Sequence, residues 1–254
     1  MDECGKIWSY AAERLRESQW KELPLLARLL IKLKRIKICK SAFLAVRFVW
    51  ATSIETRLNL LKNRKHNDRR LEIGPGGRRI LGFETADVVP SKNVDYTLDC
   101  SKKLPFGDNT FEVVYASHVL EHFPWYQTEE VLREWARILK PGGYMEIWVP
   151  DAIKICKAFV DAEVSGNNYI DLDGWYKFNP EKDPCVWASG RIYTYGDGVG
   201  DPKSPNWHKA LFSPRYLALL MGKVGLADIT KLVPEDVRGE DHGWINLGLR
   251  GTKP

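Results

Sequence analysis

Three carboxylates set at the ends of short apolar runs carry the first chemical signal in this 254-residue chain. Glu72 lies in Arg70-Leu71-Glu72-Ile73-Gly74-Pro75-Gly76-Gly77, an apolar strand that runs straight into glycines, and Asp87 and Asp99 follow at further strand ends. Glycines at such a junction let the backbone turn sharply and admit a ligand to main-chain N–H groups with no Cβ in the way. Glu72 is placed to accept hydrogen bonds from a polar ligand. The chemistry this suggests is the holding of a nucleotide-like cofactor; read by itself, the segment is equally a plain turn.

Residues 104 to 143 decide between the two. Leu104-Pro105-Phe106-Gly107-Asp108-Asn109-Thr110-Phe111 leads into Ser117-His118-Val119-Leu120-Glu121-His122, and the next helix closes on Arg137-Ile138-Leu139-Lys140-Pro141-Gly142-Gly143. This order resembles the class I S-adenosylmethionine-dependent methyltransferases, within them the type 11-like group with an HVLEH and an LKPGG signature, over roughly residues 68 to 151. The resemblance implies S-adenosylmethionine as cofactor. Gly74, Pro75 and Gly76 would then pass beneath its amino-acid and ribose portions, with Glu72 near its amino group. Asp87 takes the place of the ribose-binding acid, and Asp99, with the backbone of Cys100, that of the adenine-reading pair. Ser117 and His118 would border the methionine part. Arg78 stands where many relatives carry a further glycine, and the interval from Gly76 to Asp87 is short for a full helix, which leaves Glu84 as the alternative ribose acid.

Methyl transfer from a sulfonium is an in-line displacement, so the protein has to exclude water, align the acceptor and manage its proton. A hydroxyl acceptor needs a base, which directs attention to His118, Asp151 and His208. Asp151 also reads as the N-cap of a helix starting at Ala152, His208 as a residue joining a loop to the core, and His122 as a structural histidine. No metal-ligand spacing such as HExxH is present, and no metal is expected.

The elements that must position these residues alternate between strand and helix from Arg70 onward, which predicts an α/β, Rossmann-like parallel sheet with helices on both faces. Strands are expected at Leu71–Ile73, Phe83–Val88, Asp95–Leu98, Phe111–Ala116 and Tyr144–Val149. Between the last two, Val131, Leu132, Trp135, Ile138 and Leu139 form one apolar helix face, stopped by Pro141-Gly142-Gly143. A helix over Pro214–Val224 and strands over Leu226–Val233 and Trp244–Arg250 would complete the family's seven-stranded sheet, with the last strand antiparallel.

The organisation expected is a basic helical extension over residues 1–67 and a catalytic domain over 68–254, with residues 152–212 inserted as an aromatic, glycine-rich cover over the substrate. Residues 1–70 hold 17 Lys/Arg against 7 Asp/Glu, or +10, and the remainder 21 against 26, or −5. Leu26, Leu29, Leu30, Leu33 and Ile36 recur at helical spacing in that basic region, as in a packed cap or an amphipathic helix docking on an anionic membrane or a partner enzyme. No long positive track or recognised module supports nucleic acid as a partner. No signal peptide or bilayer-spanning stretch is seen, and five scattered cysteines suit a reducing cytoplasmic compartment. The acceptor expected is a hydroxyl of a sugar or glycan, as in polysaccharide biosynthesis. A small natural product methylated on N or O, or a non-catalytic scaffold, are the alternatives.

Overall fold

The computed structural model describes residues 40–166, 179–194 and 204–254. The chain divides into two compact units, residues 1–54 and 55–254. In the first unit the described residues are helix α1 (Lys40–Trp50) and the opening of a π-helical turn (Ala51–Glu55). The stripe at Leu26–Ile36 lies outside the described residues. Among those described, no helix is long and apolar enough to cross a membrane.

The second unit begins at Glu55, and its helix α2 (Thr56–Asn63) is tied to the sheet edge. Thr56 Oγ1 accepts from the Thr97 amide at 2.9 Å, and Asn59 Nδ2 donates to the Asp95 carbonyl at 2.8 Å. Beyond it the chain builds a seven-stranded sheet: β1 (Arg70–Ile73), β2 (Glu84–Asp87), β3 (Tyr96–Thr97), β4 (Phe111–Ser117), β5 (Leu139–Pro150), β6 (Ala227–Lys231) and β7 (Asn246–Thr252). Its order is β3-β2-β1-β4-β5-β7-β6, parallel from β3 to β5, with β7 antiparallel to both neighbours.

On one face of the sheet, Leu71, Ile73, Val114, Ala116, Ile147 and Leu249 pack against Leu132, Trp135 and Ile138 of α3 (Thr128–Ile138) and Leu217 and Leu220 of α6 (Pro214–Lys223). The alternate residues point the other way, as a period of two requires. There Val113, Tyr115 and Trp148 pack with Phe83. Glu146, fully buried beside them, is neutralised by Arg250 at 3.0 Å and Arg238 at 3.4 Å.

Two local expectations need correction. Helix α3 stops at Ile138, before Pro141-Gly142-Gly143, because Leu139 already turns extended and pairs with Phe111. The Pro-Gly-Gly run therefore lies in an irregular start of β5, and a Cβ on Gly143 would stand 2.7 Å from the Glu112 carbonyl oxygen. Strand β2 is also shorter than expected, with tight turns and no helix joining it to β1. In the inserted region, α4 (Ala152–Ser165) and α5 (Pro184–Tyr193) enclose a small core of Ile155, Ala158, Trp187, Ala188 and Ile245, with Trp187 stacked on Trp244. Trp187 is thus a core residue; Tyr169, Trp175, Tyr176, Phe178 and Tyr195 lie outside the described residues.

Candidate active site

A cavity of about 470 Å³ opens at the carboxyl ends of β1, β2 and β4, where the strand order reverses between β1 and β4. Open α/β sheets bind their ligands at this switch point. Its volume falls within the range of small-molecule sites, roughly 300–1,000 Å³. The floor is the turn after β1. Gly74 sits at φ +70° with its amide donating to Ala86 O at 2.8 Å, and a Cβ there would stand 2.3 Å from Val119 Cγ2. Glu72 is buried beneath that turn and accepts from the Ile80 amide at 2.8 Å; burial raises its carboxyl. The glutamate braces the loop as well as lining the cavity. Pro75 and Gly76 line it too.

Asp87 ends β2 inside the cavity, accepts from the Val89 amide at 2.9 Å, and has its carboxyl raised by burial. Glu84, the alternative acid, is excluded from that role. It begins β2, three residues away, and is locked to the buried Arg69 by two hydrogen bonds of 2.7 and 2.8 Å, with the Tyr96 hydroxyl also donating to it. Asp99 lines the cavity beyond β3 and accepts from the Ser101 amide and hydroxyl at 3.0 and 2.6 Å. Cys100 beside it is buried, which pushes its thiol up and leaves an inert apolar wall. Ser117 lies at the end of β4, also in the lining.

The three candidate bases are not equivalent. Asp151 is 3% exposed, and its carboxylate caps α4 by accepting from the Ile153 and Lys154 amides at 2.9 and 3.3 Å; it does not line the cavity. His208 also lies behind the wall, and burial depresses it to about 4, so its imidazole is neutral near pH 7. His118 alone of the three faces the cavity. It adopts φ +53°, a conformation that costs a non-glycine residue energy and recurs at functional sites. Nε2 hydrogen bonds Asn246 Oδ1 at 2.9 Å, and since Asn246 Nδ2 donates to Asp241, the amide is oriented so that Nε2 carries the proton. Nδ1 stands 3.3 Å from Glu121 Oε1, within ion-pair reach but outside hydrogen-bonding geometry.

The residues that sequence reasoning missed cluster around His118. Glu121 is 1% exposed; burial alone would raise its carboxyl, yet the imidazoles of His118, His122 and His208 outweigh that and hold it near 2. His242, on the loop before β7, places its ring 3.8 Å from that of His118, and Glu240 lines the same wall. The loop Pro234–Gly243 returns to the mouth of β4 because β7 inserts antiparallel beside β5.

The cavity suits the cofactor that the motifs imply. It offers a turn without side chains at Gly74 and Gly76 for the amino-acid part, one acid at the end of β2 for vicinal hydroxyls and a second acid beyond β3 for a ring amine. A family described as a methyltransferase domain matches residues 78–147, from the end of the glycine turn into β5. An uncharacterized methyltransferase of Schizosaccharomyces pombe is 29% identical over 145 residues, 45% of this chain and 51% of that protein. A sterol 4-C-methyltransferase of Caenorhabditis elegans is 43% identical over 56 residues, 22% of this chain and 15% of its own. The alignments thus span about half the length of the first of these relatives and far less of the second. Among solved structures, a SAM-dependent methyltransferase from Archaeoglobus fulgidus aligns over 82% of this chain and 99% of its own, with 15% identity and a TM-score of 0.43. The motif order, the strand order and the family match agree, and the matched segment, residues 78–147, is a methyltransferase domain of the class I S-adenosylmethionine-dependent kind.

Proposed function

We propose that this protein transfers a methyl group from S-adenosylmethionine to a hydroxyl of a sugar or glycan. The observation that carries methyl transfer is the convergence of the Gly74–Gly76 turn, Asp87 and Asp99 on one cavity at the switch point of the sheet. When bound, the cofactor supplies an electrophilic methyl group. Asp87 holds the ribose hydroxyls, Asp99 the adenine amine, and the Gly74–Gly76 backbone the amino-acid end. His118, in the cavity wall, takes the acceptor's proton on Nδ1, the ring nitrogen that carries none, with the Glu121 carboxylate 3.3 Å away to stabilise the imidazolium that forms, while Asp151 and His208 support the wall from behind.

A hydroxyl acceptor is favoured by the histidine and carboxylate groups crowded at His118, since an amine needs no such proton acceptor once deprotonated. The sugar reading rests on the aromatic, glycine-rich composition of residues 152–212. Incubation of the protein with isotopically labelled S-adenosylmethionine and panels of glycans, phenols and small amines, followed by mass spectrometry, tests both. A 14-dalton gain confined to glycans is expected; a gain confined to amines would remove the hydroxyl reading.

A further inference from the structure

Four buried side-chain polar atoms lack a hydrogen-bond partner among the described residues, and all four belong to one cluster: both carboxylate oxygens of Glu121, Nδ1 of His122 and Nε2 of His208. Leaving even one such group buried and unpaired costs about 1–3 kcal/mol, and a lone buried carboxylate more. Four such atoms in one place, with the His118 ring alone within ion-pair reach of Glu121 and nothing on the two imidazole nitrogens, point to a missing positive partner. One donor atom from each of the three residues lies within 4.8 Å of the others. Glu121 is 1% and His208 8% exposed, while His122 reaches the cavity wall.

We propose that Glu121, His122 and His208 bind one divalent first-row transition ion of the zinc class. Two imidazoles and one carboxylate form a ligand set that suits such an ion and leaves coordination positions open. Ligand atoms around a tetrahedral zinc stand about 3.3 Å apart at bond lengths near 2.0–2.1 Å, so modest side-chain rotations close the present separations. The ligands are presented by two segments already fastened together: the amides of Lys209 and Ala210 both donate to the Glu121 carbonyl, at 2.7 and 3.2 Å. Of the two His208 ring nitrogens only Nε2 is buried without a partner, which makes it the ligating atom. No spacing motif announces the set, because Glu121 and His122 are adjacent while His208 joins them from a distant segment.

The ion would sit in the cavity wall where His122 lines the cavity, beside His118, and its action as a Lewis acid on an acceptor hydroxyl rests on the function proposed above. The binding site itself does not. The competing account is that Glu121 pairs with a protonated His118 and no ion enters. Tag-free full-length protein stripped with chelator and titrated with Co²⁺ alone should develop visible d–d bands saturating at one equivalent, and Zn²⁺ alone should displace it. Glu121→Gln and His208→Ala should each weaken Zn²⁺ binding at least tenfold by calorimetry, with folding followed by circular dichroism. Absence of saturable binding to the wild-type chain, or unchanged affinity in folded Glu121→Gln, overturns the site. S-adenosylhomocysteine binding on the same stripped sample reports separately on the methyltransferase reading.

Discussion

Substitution of Gly74 by alanine tests whether the floor of the cofactor cavity is built as described. Gly74 and Gly76 both hold positive φ, +70° and +53°, so alanine at either pays the left-handed penalty of about 1–2 kcal/mol. They differ in what the new methyl meets. At Gly76 there is open space, whereas at Gly74 the methyl lands 2.3 Å from Val119 Cγ2. Val119 is β-branched and packed against the core, so it cannot rotate away freely, and the overlap adds about 1–3 kcal/mol. Gly76→Ala should therefore cost ~1–2 kcal/mol and Gly74→Ala ~2–5 kcal/mol, the latter with a larger loss of affinity for S-adenosylhomocysteine because relief comes through displacement of the turn. Urea denaturation gives the stabilities and calorimetry the affinity. In Gly74→Ala/Val119→Ala the overlap disappears, and a double-mutant coupling of about 1–3 kcal/mol should be recovered. Equal stability of the two single alanine variants, or strict additivity in the double, would refute the close approach of turn and wall.

Asp87→Asn should weaken S-adenosylhomocysteine binding at least tenfold with little change in Tm, whereas Glu84→Gln should leave affinity nearly intact and cost about 3–5 kcal/mol by stranding Arg69; reversed behaviour would exchange their roles. Because burial raises Asp87 and the ribose hydroxyls require its ionised form, affinity should fall on acidification starting above the ordinary aspartate value of 3.8, and calorimetry across pH should show that slope flattened in Asp87→Asn. Gly248→Ala should cost several kcal/mol in thermal unfolding, since a Cβ there would stand 2.5 Å from the Trp148 ring on a strand paired on both sides; a small loss would mean the strand can shift. The basic segment around residues 20–50 should pellet with acidic but not neutral vesicles at low salt and release at high salt, and equal, negligible pelleting in all conditions would leave a packed cap or a protein partner.

The sheet was legible because its strands advertise themselves: Leu71–Ile73 and Phe111–Ala116 are apolar runs bounded by turn residues, and the helix between β4 and β5 keeps one apolar face. The three acids that line the cavity are legible for the same reason, since each stands at or just beyond the end of a strand, where the sheet order alone brings Glu72, Asp87 and Asp99 to one edge. Boundaries slipped where pairing overrode local preference, as at Leu139, whose bond to the edge of β4 ends α3 three residues before proline and glycine demand it. The proton and metal chemistry was least legible. Asp151 and His208 stand out by residue type, but the fold turns one into a helix cap and buries the other; Glu121 meets His118 locally, three residues on, while Asn246 and His242 reach it only after β7 inserts beside β5. Such long-range assembly leaves no spacing to read.

The central claim is that the switch-point cavity holds the cofactor through Asp87 and the glycine turn. Calorimetric titration of S-adenosylhomocysteine into the wild-type chain, Asp87→Ala and Gly76→Arg measures it directly. One-to-one binding to the wild type and its loss or marked weakening in both folded variants is predicted; no binding to the wild type, or unchanged affinity in both variants, would contradict the account.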